Sequence, residues 1–467
     1  MEKKIRLVLI LGLTGMLVWA GMAAKEQQGM KFTGAKGEVK IMTLDPGHFH
    51  AALVQKSMYD QVSPQVSIYA PAGPDLSEHL ARVESYNKRA DNPTRWENKV
   101  FTGADFLEKM LAERPGNVMV TAGNNRKKTE YLKKTLDAGI HVLSDKPMCI
   151  DPAGFALLQK AFASAREKNL LLYDIMTERY EITSILQKEL ASMPAVFGKL
   201  LPGTPGDPSV VKESVHHFFK SVSGKPLKRP AWFYDVTQQG EGIVDVTTHL
   251  VDLVMWASFP EQAMDHRKDV EMVGARRWET RISREQFSRS TGLEGFPPFL
   301  QPNVGSDGQL SVFSNGEIQF QLRGVHSKVS VIWNYEAPPG GGDTHYSVMK
   351  GTLANVLIRQ GKEQNYIPEL YVEAAKGSDA AQLSSRLEKA IPALQARYPG
   401  IRLEKISNSW HIVLPEKYRV GHEAHFGQVT EKFLQYLVAG RLPEWETSNM
   451  ITKYFITTRA FEMAHRK

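Results

Sequence analysis

The sequence predicts an α/β protein: a doubly wound parallel sheet, followed by an α+β domain with an open, mainly antiparallel sheet. Three observations predict it. Short apolar runs alternate with helical stretches between residues 39 and 176, as in βαβ units. Strand-like runs at 309–313, 317–322 and 328–334 then follow one another with helices to one side. At 467 residues the chain is long enough for two or three domains, each with its own core.

Taken in order, residues 39–45 form a strand and 48–58 a helix, followed by a strand at 66–70 and a helix at 76–88. Residues 104–113 are an amphipathic helix that Arg114-Pro115-Gly116 ends. A buried strand at 117–123 precedes a helix at 126–138, with Gly139 as its stop. A strand at 141–146, a helix at 152–168 and a strand at 170–176 complete the sheet, whose ligands belong at the strands' carboxyl ends. A helix at 182–191 leads out. The second domain holds a strand at 216–219, a helix carrying Asp245 and His249, and the three runs named above. Residues 367–374, 382–398, 401–406 and 410–414 form a strand-helix-strand-strand excursion at about 365–415, and helices at 421–438 and 448–463 close the chain. The expected divisions are 1–24 leader, 25–37 linker, 38–176 first domain and 177–467 second domain.

Residues 1–24 read as a secretory signal. Lys3, Lys4 and Arg6 form the charged head, residues 7–20 the apolar stretch, and Gly21-Met22-Ala23-Ala24 the small-residue cleavage end. The expectation is an exported, periplasmic protein without stable membrane insertion; the alternative is an uncleaved N-terminal anchor. The net charge is +7, with no lysine-arginine run or basic-aromatic alternation, so no nucleic-acid partner is expected. Cys149 is the single cysteine, which excludes an intrachain disulfide and reads as a small buried hydrophobe.

Two stretches carry chemistry. In Ser144-Asp145-Lys146-Pro147-Met148, Lys146 projects from a strand's carboxyl end. In the run from Gly240 to His249, Asp245 and His249 lie four residues apart on one helix face. A lysine, a carboxylate and a histidine in one crevice can bind a polar substrate and move a proton. Separately, the lysine reads as solvated and the histidine as core.

Their order resembles the Gfo/Idh/MocA-type family of glucose–fructose oxidoreductase and inositol dehydrogenase. Its members carry Glu-Lys-Pro after the fifth strand of a Rossmann-like dinucleotide domain. A Gly-rich turn then leads to Asp-x-x-x-His in a second domain. The resemblance covers most of residues 38–360 and implies a nicotinamide cofactor, NAD or NADP, in a crevice with Gly47, His48, Phe49, His50, Asn124, Asp145 and Lys146. It further implies that Lys146 touches the substrate hydroxyl and that His249 is the acid/base. Asp245 would orient His249 or bond a second hydroxyl. A dimer through the open sheet face is the family-level expectation.

The first turn departs from the family's G-x-G-x-x-G. It reads Asp45-Pro46-Gly47-His48-Phe49-His50, keeping the second glycine only. A carboxylate at the first position repels pyrophosphate unless paired or turned away. The second strand ends in Tyr69-Ala70-Pro71, without an acid for a ribose hydroxyl. Asp45-x-x-His48-x-His50 carries metal-ligand residue types, but no other ligand spacing supports it, and the expectation is a polar turn without metal.

On the substrate side, His216, His217 and Trp232 are expected to line the crevice, with Tyr180 and His345 as further candidates. Trp232 reads equally as core. The function expected is a nicotinamide-dependent oxidoreductase acting on a secondary hydroxyl of a carbohydrate or cyclitol. Because free nicotinamide cofactors do not circulate outside the cytoplasm, the cofactor would be tightly held. The alternatives are a redox-neutral glycosidase working by oxidation and elimination, and a non-enzymatic periplasmic sugar-binding module.

Overall fold

A computed structural model describes residues 31–222 and 225–466. The expected leader, 1–24, lies outside the described residues. Among the described residues no helix is long and apolar enough to cross a membrane.

The first sheet is parallel and six-stranded. Its strands are β1 (Ile41–Leu44), β2 (Gln65–Ala70), β3 (Glu97–Thr102), β4 (Val118–Thr121), β5 (His141–Asp145) and β6 (Leu172–Ile175). Their order is β3-β2-β1-β4-β5-β6. The order reverses between β1 and β4, the switch point at which such sheets open a ligand crevice. β1, β4, β5 and β6 are buried throughout, which is why their apolar runs were legible. β3 is an exposed edge strand with a polar sequence, and the apolar pattern therefore missed it. The helix expected at 48–58 is regular only over His50–Leu53.

The second sheet has nine strands in the order β10-β11-β12-β7-β13-β14-β15-β17-β16. They are β7 (Val210–Phe219), β10 (Val270–Ile282), β11 (Leu310–Leu322), β12 (Val325–Glu336), β13 (Thr344–Lys350), β14 (Ala354–Arg359), β15 (Glu369–Ala374), β16 (Arg402–Ile406) and β17 (Ser409–Val413). The short ribbon β8 (Ser221–Val222) with β9 (Lys225–Pro226) stands apart. Only β7 and β12 pair in parallel; the other neighbours are antiparallel. The runs at 309–313 and 317–322 join into the single strand β11. The expected excursion is present element by element and adds β15, β17 and β16 to one edge of the sheet.

Helices Ile182–Ala191, Thr247–Ser258 and Glu444–His465 pack on this sheet through Leu186, Leu190, Val251, Val254 and Ile456. Helix His422–Ala439 instead buries Phe426, Val429 and Phe433 in the core of the first sheet. It thereby delivers residues from the end of the sequence to the first sheet's crevice.

A buried ionic cluster ties these layers together. Asp252 accepts from Arg179 at 2.6 and 2.7 Å and from Lys453 at 3.0 Å. Arg179 also reaches Glu446 at 2.9 Å, and Lys453 reaches Asp174 on β6 at 2.7 Å.

The turn before helix Thr247–Ser258 presses on β11. Gly242 donates its N–H to Phe313 O at 3.0 Å, and a Cβ there would overlap the Ser314 carbonyl oxygen. Since the obstruction is backbone, it cannot rotate away. Gly242→Ala is expected to destabilise the fold by about 3 kcal/mol, measured by urea denaturation. An unchanged midpoint would mean that the turn and β11 are not packed so closely in solution.

Candidate active site

The turn after β1 solves its missing glycine with backbone shape. Asp45 takes φ 50°, the left-handed conformation that glycine supplies elsewhere and that Asp tolerates. Its carboxyl accepts from the Tyr131 hydroxyl at 3.1 Å and is pushed up by burial. Asp45 is thus paired rather than aimed freely at a ligand. Gly123 allows the close approach of β4's end, since a Cβ there would run into Asp45 O.

The turn is also covered. Gly47 and His48 both donate their N–H groups to Ala122 O, at 3.2 and 3.1 Å. Trp232 lies 3.2 Å from where a Gly47 Cβ would be and donates to Asp75 Oδ2 at 2.8 Å. Asn124 donates to Gln238 Oε1 at 2.6 Å, and Asn125 to Gln239 O at 2.6 Å. The segment 231–240 therefore lies across the carboxyl ends of β1 and β4.

Beside this cover opens a cavity of about 550 Å³ between the two sheets. At its floor Lys146 donates to Asp245 Oδ1 at 2.7 Å, and Gln239 donates to Asp245 Oδ2 at 3.0 Å. His249 lines the same cavity. Its Nδ1 is buried without a hydrogen-bond partner. Burial, reinforced by Lys146 and His422, holds its imidazole well below the ordinary range, so it is neutral. Glu178 also faces the cavity; burial and neighbouring Glu181 push its carboxyl up to about 7. His48, His50 and Asp145 form a tight group, with His50 Nδ1 2.9 Å and His48 Nδ1 3.8 Å from Asp145 Oδ2.

The upper wall is polar and aromatic. His216 bonds Asp343 Oδ2 through Nδ1 at 2.9 Å and Ser214 Oγ through Nε2 at 2.6 Å, and stacks on Trp333 with centroids 5.1 Å apart. Burial raises the Asp343 carboxyl, but His216, His217 and Lys220 outweigh it and hold it well below the usual range. The excursion supplies part of this wall through Ile367 and Pro368, and Arg419 beyond it bonds Pro368 O and Glu369 at 2.7 Å each.

The family described as "Putative oxidoreductase C terminal domain" matches residues 186–465. The chain is a Gfo/Idh/MocA-type oxidoreductase. This oxidoreductase is similar in structure to a "putative oxidoreductase" from Parabacteroides merdae ATCC 43184, with 60% identity and a TM-score of 0.92, covering 94% of this chain and 100% of that one. Two more distant structures share the fold. One is a levoglucosan dehydrogenase in complex with NADH and levoglucosan: 13% identity, TM-score 0.59, covering 92% of this chain and 97% of that one. The other is KijD10, a 3-ketoreductase from Actinomadura kijaniata in complex with NADP and TDP-benzene: 14% identity, TM-score 0.53, covering 90% and 95%. No curated protein matches the chain.

Within this oxidoreductase, Lys146, Asp245, His249, His48, Phe49, His50, His216 and His345 all line the cavity. Other expectations need correction. Asp245 precedes the regular helix, which begins at Thr247, and it bonds Lys146 and Gln239 rather than orienting His249. His217 is 3% exposed and turned inward by strand alternation. Trp232 covers the Gly47 turn instead of facing a sugar. Tyr180 packs against the first core, and its neighbour Glu178 reaches the cavity instead. Asn124 is held by Gln238. The imidazoles of the first turn group with Asp145, not with Asp45. Sequence reasoning missed Asp343, Arg419, His422 and His425 on the cavity wall. The first follows a Gly-rich loop and the others surround Gly421, which is all the sequence signal they carry.

Proposed function

We propose that this chain is a nicotinamide-dinucleotide-dependent oxidoreductase acting on a secondary hydroxyl of a sugar or cyclitol held in the cavity. The observation that carries this reading is Lys146 at the carboxyl end of β5, paired with Asp245 and sharing a large polar cavity with neutral His249. The relatives that share the fold and bind NADH or NADP act on sugars or sugar derivatives, in keeping with it.

The chain retains the shape a dinucleotide needs. The sheet parts at β1 and β4, Gly47 has no side chain there, and Asp45 makes the turn with its carboxyl paired. Gly47, Asn124 and Lys146 would hold the group, and segment 231–240 must move off the turn to admit it. When bound, the nicotinamide ring supplies the hydride acceptor or donor.

The chain's own residues supply the rest. His249 takes the hydroxyl proton through its imidazole, which burial keeps unprotonated at neutral pH. Lys146 places its ammonium against the same oxygen and stabilises the negative charge that develops. Asp245 fixes that ammonium in position. Asp343, His216 and Arg419 offer hydrogen bonds to further hydroxyls, and the Trp333 ring stacked on His216 stiffens that side.

Binding should be visible through Trp232. Titration with NAD, NADH, NADP and NADPH is expected to give saturable calorimetric binding for at least one of them. The bound form should also show a change in tryptophan emission that Trp232→Phe removes. Binding without that change would mean the cover stays in place; no binding by any of the four, with none released on denaturation, would sink the oxidoreductase reading.

A further inference from the structure

We propose that His48, His50 and Asp145 form a site for one divalent transition-metal ion at the floor of the cavity, with the ion's remaining positions open to substrate oxygens. This goes beyond the oxidoreductase reading and does not rest on it.

The ligand atoms are already assembled. One nitrogen from each imidazole and one Asp145 oxygen all lie within 4.8 Å of one another. A four- to six-coordinate ion with bonds of about 2.0–2.2 Å needs ligand atoms roughly 3–3.5 Å apart. His50 Nδ1 stands 2.9 Å and His48 Nδ1 3.8 Å from Asp145 Oδ2, so small side-chain rotations close the site. The frame is firm. Asp145 ends the fully buried β5, and its backbone carbonyl accepts from Lys128 Nζ at 3.1 Å and Ser144 Oγ at 3.0 Å. His50 packs against the rings of His422 and Phe426, with centroids 5.2 and 4.6 Å away.

A simple His–Asp hydrogen bond would account for His50 and Asp145 Oδ2. It leaves the second imidazole at the same carboxylate unexplained. It also leaves Asp145 Oδ1 buried with no partner, in a residue 4% exposed. An ion satisfies both. Burial keeps the two imidazoles neutral, the form that ligates. The nearest ammonium, Lys146, is turned to Asp245, which offsets its charge.

Two imidazoles and one carboxylate suit zinc or a neighbouring transition ion; magnesium and calcium prefer oxygen sets. Three protein ligands leave coordination positions free, the arrangement of sites that bind and polarise a substrate oxygen. The expected ligand is therefore a sugar hydroxyl or carbonyl oxygen beside Lys146.

The test uses the full protein, stripped with a chelator and dialysed free of it. Titration with Co²⁺ is expected to give visible ligand-field absorption that saturates at one equivalent and is displaced by Zn²⁺. Calorimetry with Zn²⁺ should give the same stoichiometry. His50→Ala and Asp145→Asn should each weaken Zn²⁺ binding by about 10²-fold or more, while Asp45→Asn leaves it unchanged. Circular dichroism establishes that each variant is folded, and His48→Gln serves in place of any that is not. The absence of one-equivalent binding in the wild type, or folded His50 and Asp145 variants that bind as the wild type does, would overturn the proposal.

Discussion

Replacing Lys146 or His249 is expected to lower turnover on a cognate sugar by about 10²-fold or more for each single change, the range of positioned acid–base groups. The two side chains line one cavity, and the Lys146 charge is part of what keeps His249 neutral. If both act on one alcohol, the double variant loses far less than the product of the single effects. Stability must be read alongside. Lys146→Ala leaves the buried Asp245 carboxylate with Gln239 alone, so some melting temperature is lost with the charge. Lys146→Met combined with Asp245→Asn removes that unpaired charge and isolates the catalytic loss. His249→Gln has no buried ion pair to break and should melt close to wild type. A folded single variant with near wild-type turnover would make that residue structural.

The second large effect is on stability. Asp252→Ala is expected to destabilise the fold by about 3–5 kcal/mol, because it strands Arg179 and Lys453 as buried, partly unpaired cations. All of these side chains are at most 8% exposed. The cluster joins β6, helix Thr247–Ser258 and helix Glu444–His465, so its loss loosens both sheets at once. The pH dependence follows from the same contacts. Burial raises the Asp252 carboxyl, but Arg179 and Lys453 outweigh it and hold it below its ordinary value. A depressed folded value gives stability that is fully present above the unfolded carboxylate range, about pH 4, and lost as pH falls through the folded value. Urea denaturation between pH 7 and pH 2.5 should show a steeper loss below pH 4 in the wild type than in Asp252→Asn. Equal slopes would place the acid sensitivity elsewhere.

What could be read in the sequence follows burial. The strands buried on both faces, β1, β4, β5 and β6, announce themselves as apolar runs. The edge strands β3 and β10 mix charged and apolar residues and carry no such mark. Lys146, Asp245 and His249 were legible because each sits within a short local motif. The partner of Lys146 was not, since a contact across 99 positions of sequence is set by how the two sheets meet. Trp232 shows the same limit: an aromatic before a glycine turn looks ready for a sugar, and only tertiary contact with Gly47 and Asp75 reveals a cover. His422 and Arg419 reach the cavity because helix His422–Ala439 docks on the first sheet, an event that no local pattern encodes.

The most direct test of the account is absorbance at 340 nm of the protein loaded with its preferred oxidised dinucleotide and mixed with a panel of sugars, cyclitols and glycosides. The account predicts that at least one of them produces reduced nicotinamide, up to one equivalent per site if the cofactor is retained, and that the Lys146→Met/Asp245→Asn variant produces it at least 10²-fold more slowly. A loaded protein that shows no reduction with any member of the panel, and no oxidation of the reduced form by the corresponding ketones, would contradict it.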